Sequence, residues 1–160
     1  MSTTVALLNA EEYARLPDTG TPTELVKGRV VTMNPPFPRH GYVCANITSI
    51  LRNFVHEHGL GRVCSNDSGV VTTRSPDTVR GPDVAYYSYA KVPLGPLPRG
   101  YFPVPPDLIV EVLSPDDRRS TILSKVAEYL AVGVTVVCVL DPDAETAEIF
   151  TEDQPSEVLA

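Results

Sequence analysis

No apolar run in the 160-residue chain approaches the roughly 18 residues that a membrane-spanning helix needs. The first ten residues lack the basic start and long apolar stretch of a secretory signal. Together these absences predict a cytoplasmic protein with no membrane partner. No C-x-x-C occurs, and Cys44, Cys64 and Cys138 are far apart and odd in number. That removes the sequence basis for a zinc ribbon or a redox pair, and each cysteine reads as a small apolar filler. Basic residues are scarce too: 13 Lys and Arg stand against 20 Asp and Glu, for a net charge of −7. The balance counts against a broad nucleic-acid-binding face but leaves room for a local one. There is no internal repeat and no low-complexity tract.

What remains is the composition of one folded domain over residues 1–160, with 42% hydrophobic residues and enough length to bury a core. The 16 prolines cluster at Pro35-Pro36-Phe37-Pro38 and again over residues 93–106, where they predict extended loops. Asn9 reads as the cap of a short helix through Glu11-Glu12-Tyr13, and residues 24–31 as a hairpin around Lys27-Gly28. A first long helix is predicted over 40–58, with Val43, Ile47, Ile50, Leu51, Phe54 and Val55 as its apolar stripe. Three strands follow: 61–65 continuing into 70–72, then 83–89, then 107–113. A second helix is predicted from about 116 to 131, with Ser114, Pro115 and Asp117 at its start. Residues 134–140 and 147–150 read as a hairpin across Asp141-Pro142-Asp143. This order indicates an α/β (α+β) fold, a central mixed sheet flanked by helices, with the second helix crossing between strands.

Two acids carry the chemistry. Glu111 lies in Leu108-Ile109-Val110-Glu111-Val112-Leu113, a strand apolar on both faces and therefore central. A carboxylate there needs a partner. That partner is either a metal ion or, equally, a helix N-terminus or an arginine. Asp83 follows Pro82 at the start of the preceding strand, where a turn-closing role is the alternative. Adjacent strands run about 4.8 Å apart, so two same-face carboxylates can share one cation. Oxygen ligands of this kind suit Mg²⁺ or Mn²⁺.

Pro82-Asp83 followed by Glu111-Val112-Leu113 resembles the PD-(D/E)XK motif of restriction-type nucleases. More closely, the chain resembles the Uma-type bacterial family of putative restriction endonucleases. The matching residues are Glu24-Leu25-Val26-Lys27-Gly28-Arg29-Val30-Val31, Pro35-Pro36 with His40, Gly81-Pro82-Asp83-Val84-Ala85, residues 106–115, Lys125 with Tyr129, Gly133-Val134 and Asp141-Pro142. The resemblance implies a restriction-endonuclease-like fold and a Mg²⁺- or Mn²⁺-dependent endonuclease acting on DNA. It implies Asp83 and Glu111 as metal ligands and Lys125 as a further catalytic residue. Position 113 is Leu, where the wider superfamily has its lysine, and Lys125 on the following helix matches the migrated lysine of the family. It lies at the margin of the stripe formed by Ile122, Leu123, Val126 and Leu130, from where its amine can reach the sheet end. An ordinary solvated lysine is the alternative. Thr121 stands where relatives lead one to expect an acid.

Glu24 joins the site by the same resemblance, with an exposed hairpin glutamate as the alternative. His40 is a candidate for contacting substrate phosphate, or for capping its helix. Arg74, Arg80, Lys91, Arg99, Arg118 and Arg119 are candidates for phosphate contacts around a cleft. A homodimer is expected by analogy with enzymes that cut both strands, with the apolar 92–106 loop as its contact. Relatives extend beyond the last residues, so a C-terminal piece is expected to be missing. A non-catalytic module binding nucleic acid or a partner protein is the rival reading, favoured by the acidic charge and by Leu113.

Overall fold

The strand carrying Glu111 is buried along almost its whole length. In the computed structural model, which describes residues 6–160, Ile109, Val110 and Val112 are all but inaccessible to solvent. The elements in chain order are α1 (Ala10–Tyr13), β1 (Thr23–Val26), β2 (Arg29–Thr32), α2 (Pro38–Glu57), β3 (Gly61–Ser65), β4 (Val70–Thr73) and β5 (Thr78–Arg80). They continue with β6 (Val84–Ser88), β7 (Leu108–Val112), α3 (Arg119–Ala131), β8 (Val136–Asp141), β9 (Thr146–Phe150) and β10 (Glu157–Leu159).

A six-stranded sheet has the order β10-β9-β8-β7-β6-β3. β3, β6 and β7 pair antiparallel, and α3 carries the chain from β7 to the parallel strand β8. β7 alternates its side chains between two apolar layers. Ile109 packs on one face with Ile122, Val126 and Tyr129 of α3. Val110 and Val112 pack on the other with Val43, Ile47 and Leu51 of α2. The sheet is thus sandwiched between the two long helices. A second, four-stranded antiparallel sheet, β2-β1-β5-β4, closes over its own core of Ala10, Leu25 and Val79. Its strand β1 brings Glu24 to the site. No described helix is long and apolar enough to cross a membrane.

Four expectations need correction. The segment from 61 to 72 is two strands in different sheets, because Asn66 and Asp67 both take positive φ (61° and 55°) and turn the chain out of the larger sheet. Asn and Asp tolerate that left-handed geometry better than most residues. The strand β5 was too short at three residues to show as an alternation. Helix α3 begins at Arg119, not near Asp116. Asp117 instead accepts the Ser114 amide at 2.7 Å, making Ser114-Pro115-Asp116-Asp117 a turn ahead of the helix. On α2, Ile50 and Phe54 are exposed at 66% and 53%. Each precedes a core-facing neighbour by one residue, about 100° around the helix, which swings it past the edge of the buried stripe.

Candidate active site

Register brings the two acids to one place. β6 and β7 are antiparallel with Val84 facing Val110, so Asp83, just before β6, and Glu111 stand at the same end of the strand pair. Both line a cleft of about 470 Å³ that also takes in Glu24, His40, Asp67 and Lys125.

Glu111 is 6% exposed. The Tyr129 hydroxyl donates to its Oε1 at 2.7 Å, and the Lys125 Nζ stands 3.9 Å from the same oxygen. Burial pushes its carboxyl up to about 7; the charge of Lys125 and the Tyr129 bond pull against this, and the charges of Asp83 and Glu24 add to it. Lys125 is buried on α3, and its Nζ makes a 3.0 Å contact with Glu24 Oε1. Burial alone would weaken the ammonium, yet Glu111 and Glu24 outweigh it and hold the lysine above its ordinary value. The group is therefore a fixed cation at neutral pH. Glu24, 4% exposed, is also bound by Arg80 at 2.8 Å and by the Gly81 amide at 3.1 Å. Burial raises its carboxyl, but Lys125, Arg80 and that amide together hold it below the usual range. Arg80 in turn makes a two-pronged contact with Glu128, at 2.7 and 2.8 Å.

The result is an alternating chain, Glu128–Arg80–Glu24–Lys125–Glu111, running from the smaller sheet through α3 to the larger sheet. Asp83 sits beside it. Its Oδ2 accepts the Val112 amide at 2.7 Å, while Oδ1 faces His40 Nε2 at 3.3 Å. With Asp83 counted, four carboxylates surround two cations, a surplus of negative charge at the cleft.

All five residues singled out from the sequence, Glu24, His40, Asp83, Glu111 and Lys125, line this one cleft. Glu24 is buried rather than an exposed hairpin residue. His40 does not cap α2, whose first turn follows Phe37 without a side-chain cap. The six basic residues expected around the cleft are not on its wall. Arg74 pairs with Glu11 and Asp77, Arg80 with Glu24 and Glu128, Lys91 with Asp107, and Arg119 with Glu148. Arg80, expected as a phosphate contact, instead fixes Glu24; Glu128 has no role in the sequence reading, and Tyr129 appears there only as part of a motif. A signal for the last two existed: Glu128 and Tyr129 follow Lys125 at i+3 and i+4, one face of a helix. Nothing local marks Arg80. Cys44 is not merely a filler, since its Sγ lies 3.4 Å from His40 Nδ1.

Three antiparallel strands, a helical crossover to a parallel strand, and acids at the shared end of β6 and β7 define a restriction-endonuclease-like fold. The same fold is seen in the crystal structure of a putative nuclease belonging to DUF820 from Anabaena variabilis ATCC 29413. That structure aligns with a TM-score of 0.79 at 21% identity, over 95% of this chain and 84% of the other. The sequence profile of the Uma2 family, described as putative restriction endonucleases, matches residues 10–160, and the chain belongs to this family. No curated protein matches it.

Proposed function

We propose that the protein is a metal-dependent endonuclease that hydrolyses phosphodiester bonds in DNA, with Asp83 and Glu111 as metal ligands and Lys125 and Glu24 completing the catalytic group. The observation that carries this reading is Glu111: an enclosed carboxylate, next to a second acid, at the floor of an open cleft. Its donor chemistry fits a hard divalent cation, Mg²⁺ or Mn²⁺, which takes carboxylate oxygens. The local surplus of negative charge favours such an ion too. When bound, the cation supplies charge stabilisation to the phosphate and lowers the pKa of its water.

The side chains divide the remaining work. Tyr129 orients Glu111 through its hydroxyl. Lys125 presents a permanent positive charge toward a phosphate, so its role is to neutralise developing negative charge rather than to accept a proton. Glu24 holds that ammonium in place and is itself fixed by Arg80 and Gly81. His40, at the cleft edge, contacts a phosphate oxygen. A groove of about 490 Å³ continues from His40 and Asp83 along α2 past Thr48 and Arg52, and offers a track for a nucleic-acid strand. Two copies, meeting through the exposed Leu94 and Leu97, would cut both strands.

The test is cleavage of plasmid, oligonucleotide and nucleotide substrates with and without Mg²⁺ or Mn²⁺, beside thermal melts. Native protein should cleave plasmid and melt higher with metal. Asp83→Asn and Glu111→Gln should lose both responses, while Lys125→Ala loses cleavage and keeps the metal shift. A non-catalytic nuclease-fold module is the second reading, favoured by the pairing of four basic side chains within the chain itself. Metal binding without cleavage of any substrate would select it.

A further inference from the structure

Three side chains of unlike chemistry converge where the cleft meets the groove along α2. His40 and Cys44 lie four residues apart near the start of α2, so the helix stacks them on one face. Cys44 Sγ is 3.4 Å from His40 Nδ1 and 3.9 Å from Nε2, and Nε2 is 3.3 Å from Asp83 Oδ1. Ligand atoms of all three residues lie within 4.8 Å of one another. Donors held tetrahedrally at zinc's bond lengths of about 2.0–2.3 Å stand about 3.3–3.7 Å apart. Through Nε2, His40 stands 3.9 Å from the sulfur and 3.3 Å from the carboxylate oxygen, so a bound ion has to draw the donors together by no more than about 1 Å.

We propose that His40, Cys44 and Asp83 form a binding site for a thiophilic divalent cation of the Zn²⁺ type, with its fourth position open to the cleft. Imidazole, thiolate and carboxylate together are a zinc donor set, and sulfur discriminates against Mg²⁺. The three residues are half-buried, so an ion can enter and yet be largely desolvated. Asp83 is already aimed: Oδ2 is tied to the Val112 amide, which leaves Oδ1 facing His40. Such outer bonds fix the ligands of metal sites. Binding displaces the Cys44 thiol proton to solvent as the metal–sulfur bond forms. Oδ1 is also the oxygen that Asp83 has to offer a cation shared with Glu111. The two ions compete for it, and Zn²⁺ acts as an antagonist of the Mg²⁺-bound state. That antagonism rests on the proposed nuclease site; the zinc site itself does not.

The experiment uses Co²⁺ as a spectroscopic stand-in for Zn²⁺. Titrating metal-free native protein should produce a thiolate-to-cobalt charge-transfer band, saturating at one ion per chain and bleached by added Zn²⁺. Cys44→Ser and His40→Gln should lose the band, while Cys64→Ser, Cys138→Ser and Glu111→Gln retain it. Circular dichroism of the metal-free variants separates a lost ligand from a lost fold. No band in the native protein overturns the site, and so does a band lost in Cys64→Ser or Cys138→Ser but kept in Cys44→Ser. Glu111→Gln distinguishes the two proposals, because it removes the Mg²⁺ melting shift and leaves the cobalt band. Zn²⁺ should abolish the Mg²⁺ shift of the native protein; additive shifts from the two ions would overturn the shared oxygen.

Discussion

Ion pairs in this chain occur in two settings. Behind the cleft wall the paired side chains are enclosed: Arg80 and Glu24 expose 10% and 5%. On the surface, Arg39 and Asp143 are exposed on both sides, at 59% and 64%. A surface pair attracts across water and contributes at most about 1 kcal/mol. A buried pair begins with a desolvation cost of several kcal/mol per ion, which its partner and hydrogen bonds only offset. Apolar residues of similar volume would join the same elements at lower cost. The buried network ends on Glu24, Lys125 and Glu111, which line the cleft. Its placement suits holding a site more than holding the fold.

Arg80→Ala tests that contrast most severely. It strands Glu24 and Glu128 together, and a loss of about 3–5 kcal/mol in urea denaturation at pH 7 is expected. A loss near that of a surface pair would erase the distinction. Glu111→Gln should move the other way. The folded carboxyl titrates near 7 against an ordinary 4.5, so the native state holds a proton that the unfolded chain has released. Stability is then lost as pH rises through that window. Without metal, Glu111→Gln is expected to be more stable than native by about 2 kcal/mol at pH 8, and no more stable at pH 4. Paired denaturation curves at the two pH values check it.

Asp77 sharpens the comparison, since it is a buried carboxylate with an exposed arginine partner. It accepts the Ala10 and Ser75 amides at 2.8 and 3.0 Å, and Arg74 at 2.8 Å. The Ala10 amide is the strongest of these influences, and together they outweigh burial and hold the carboxyl below its usual 3.8. Its stabilisation is therefore present above the unfolded value and lost as pH falls through the folded one. Asp77→Ala should cost about 1–3 kcal/mol at pH 7. The gap to native should narrow in melts below pH 3. Arg39→Ala, at the exposed extreme, should cost less than about 1 kcal/mol, and the effect should fade in high salt.

The long elements were legible because their signals are local. The stripe from Val43 to Val55 and the doubly apolar run around Glu111 each need only their own neighbours to be recognised. The break between β3 and β4 was not, since two residues of positive φ leave no trace in hydrophobic patterning. The start of α3 was misplaced for a related reason. Ser, Pro and Asp suit a helix start and a turn equally, and only the Ser114–Asp117 bond chooses between them.

The same division holds at the site. The sequence by itself determined that Glu111 would be enclosed, since a strand apolar on both faces has no other place to run. Helical spacing put Lys125 at the margin of the apolar stripe, and left open whether its amine turns to the sheet end or to solvent. Only the tertiary structure decided that Glu24 and Arg80, 56 residues apart, meet in the smaller sheet and fix Lys125 from the side opposite Glu111. Likewise it alone set His40 and Cys44 of α2 against Asp83. Periodicity fixes which way a side chain faces along its own element. Which charge it meets depends on how separate elements dock, and that follows from packing across the whole chain.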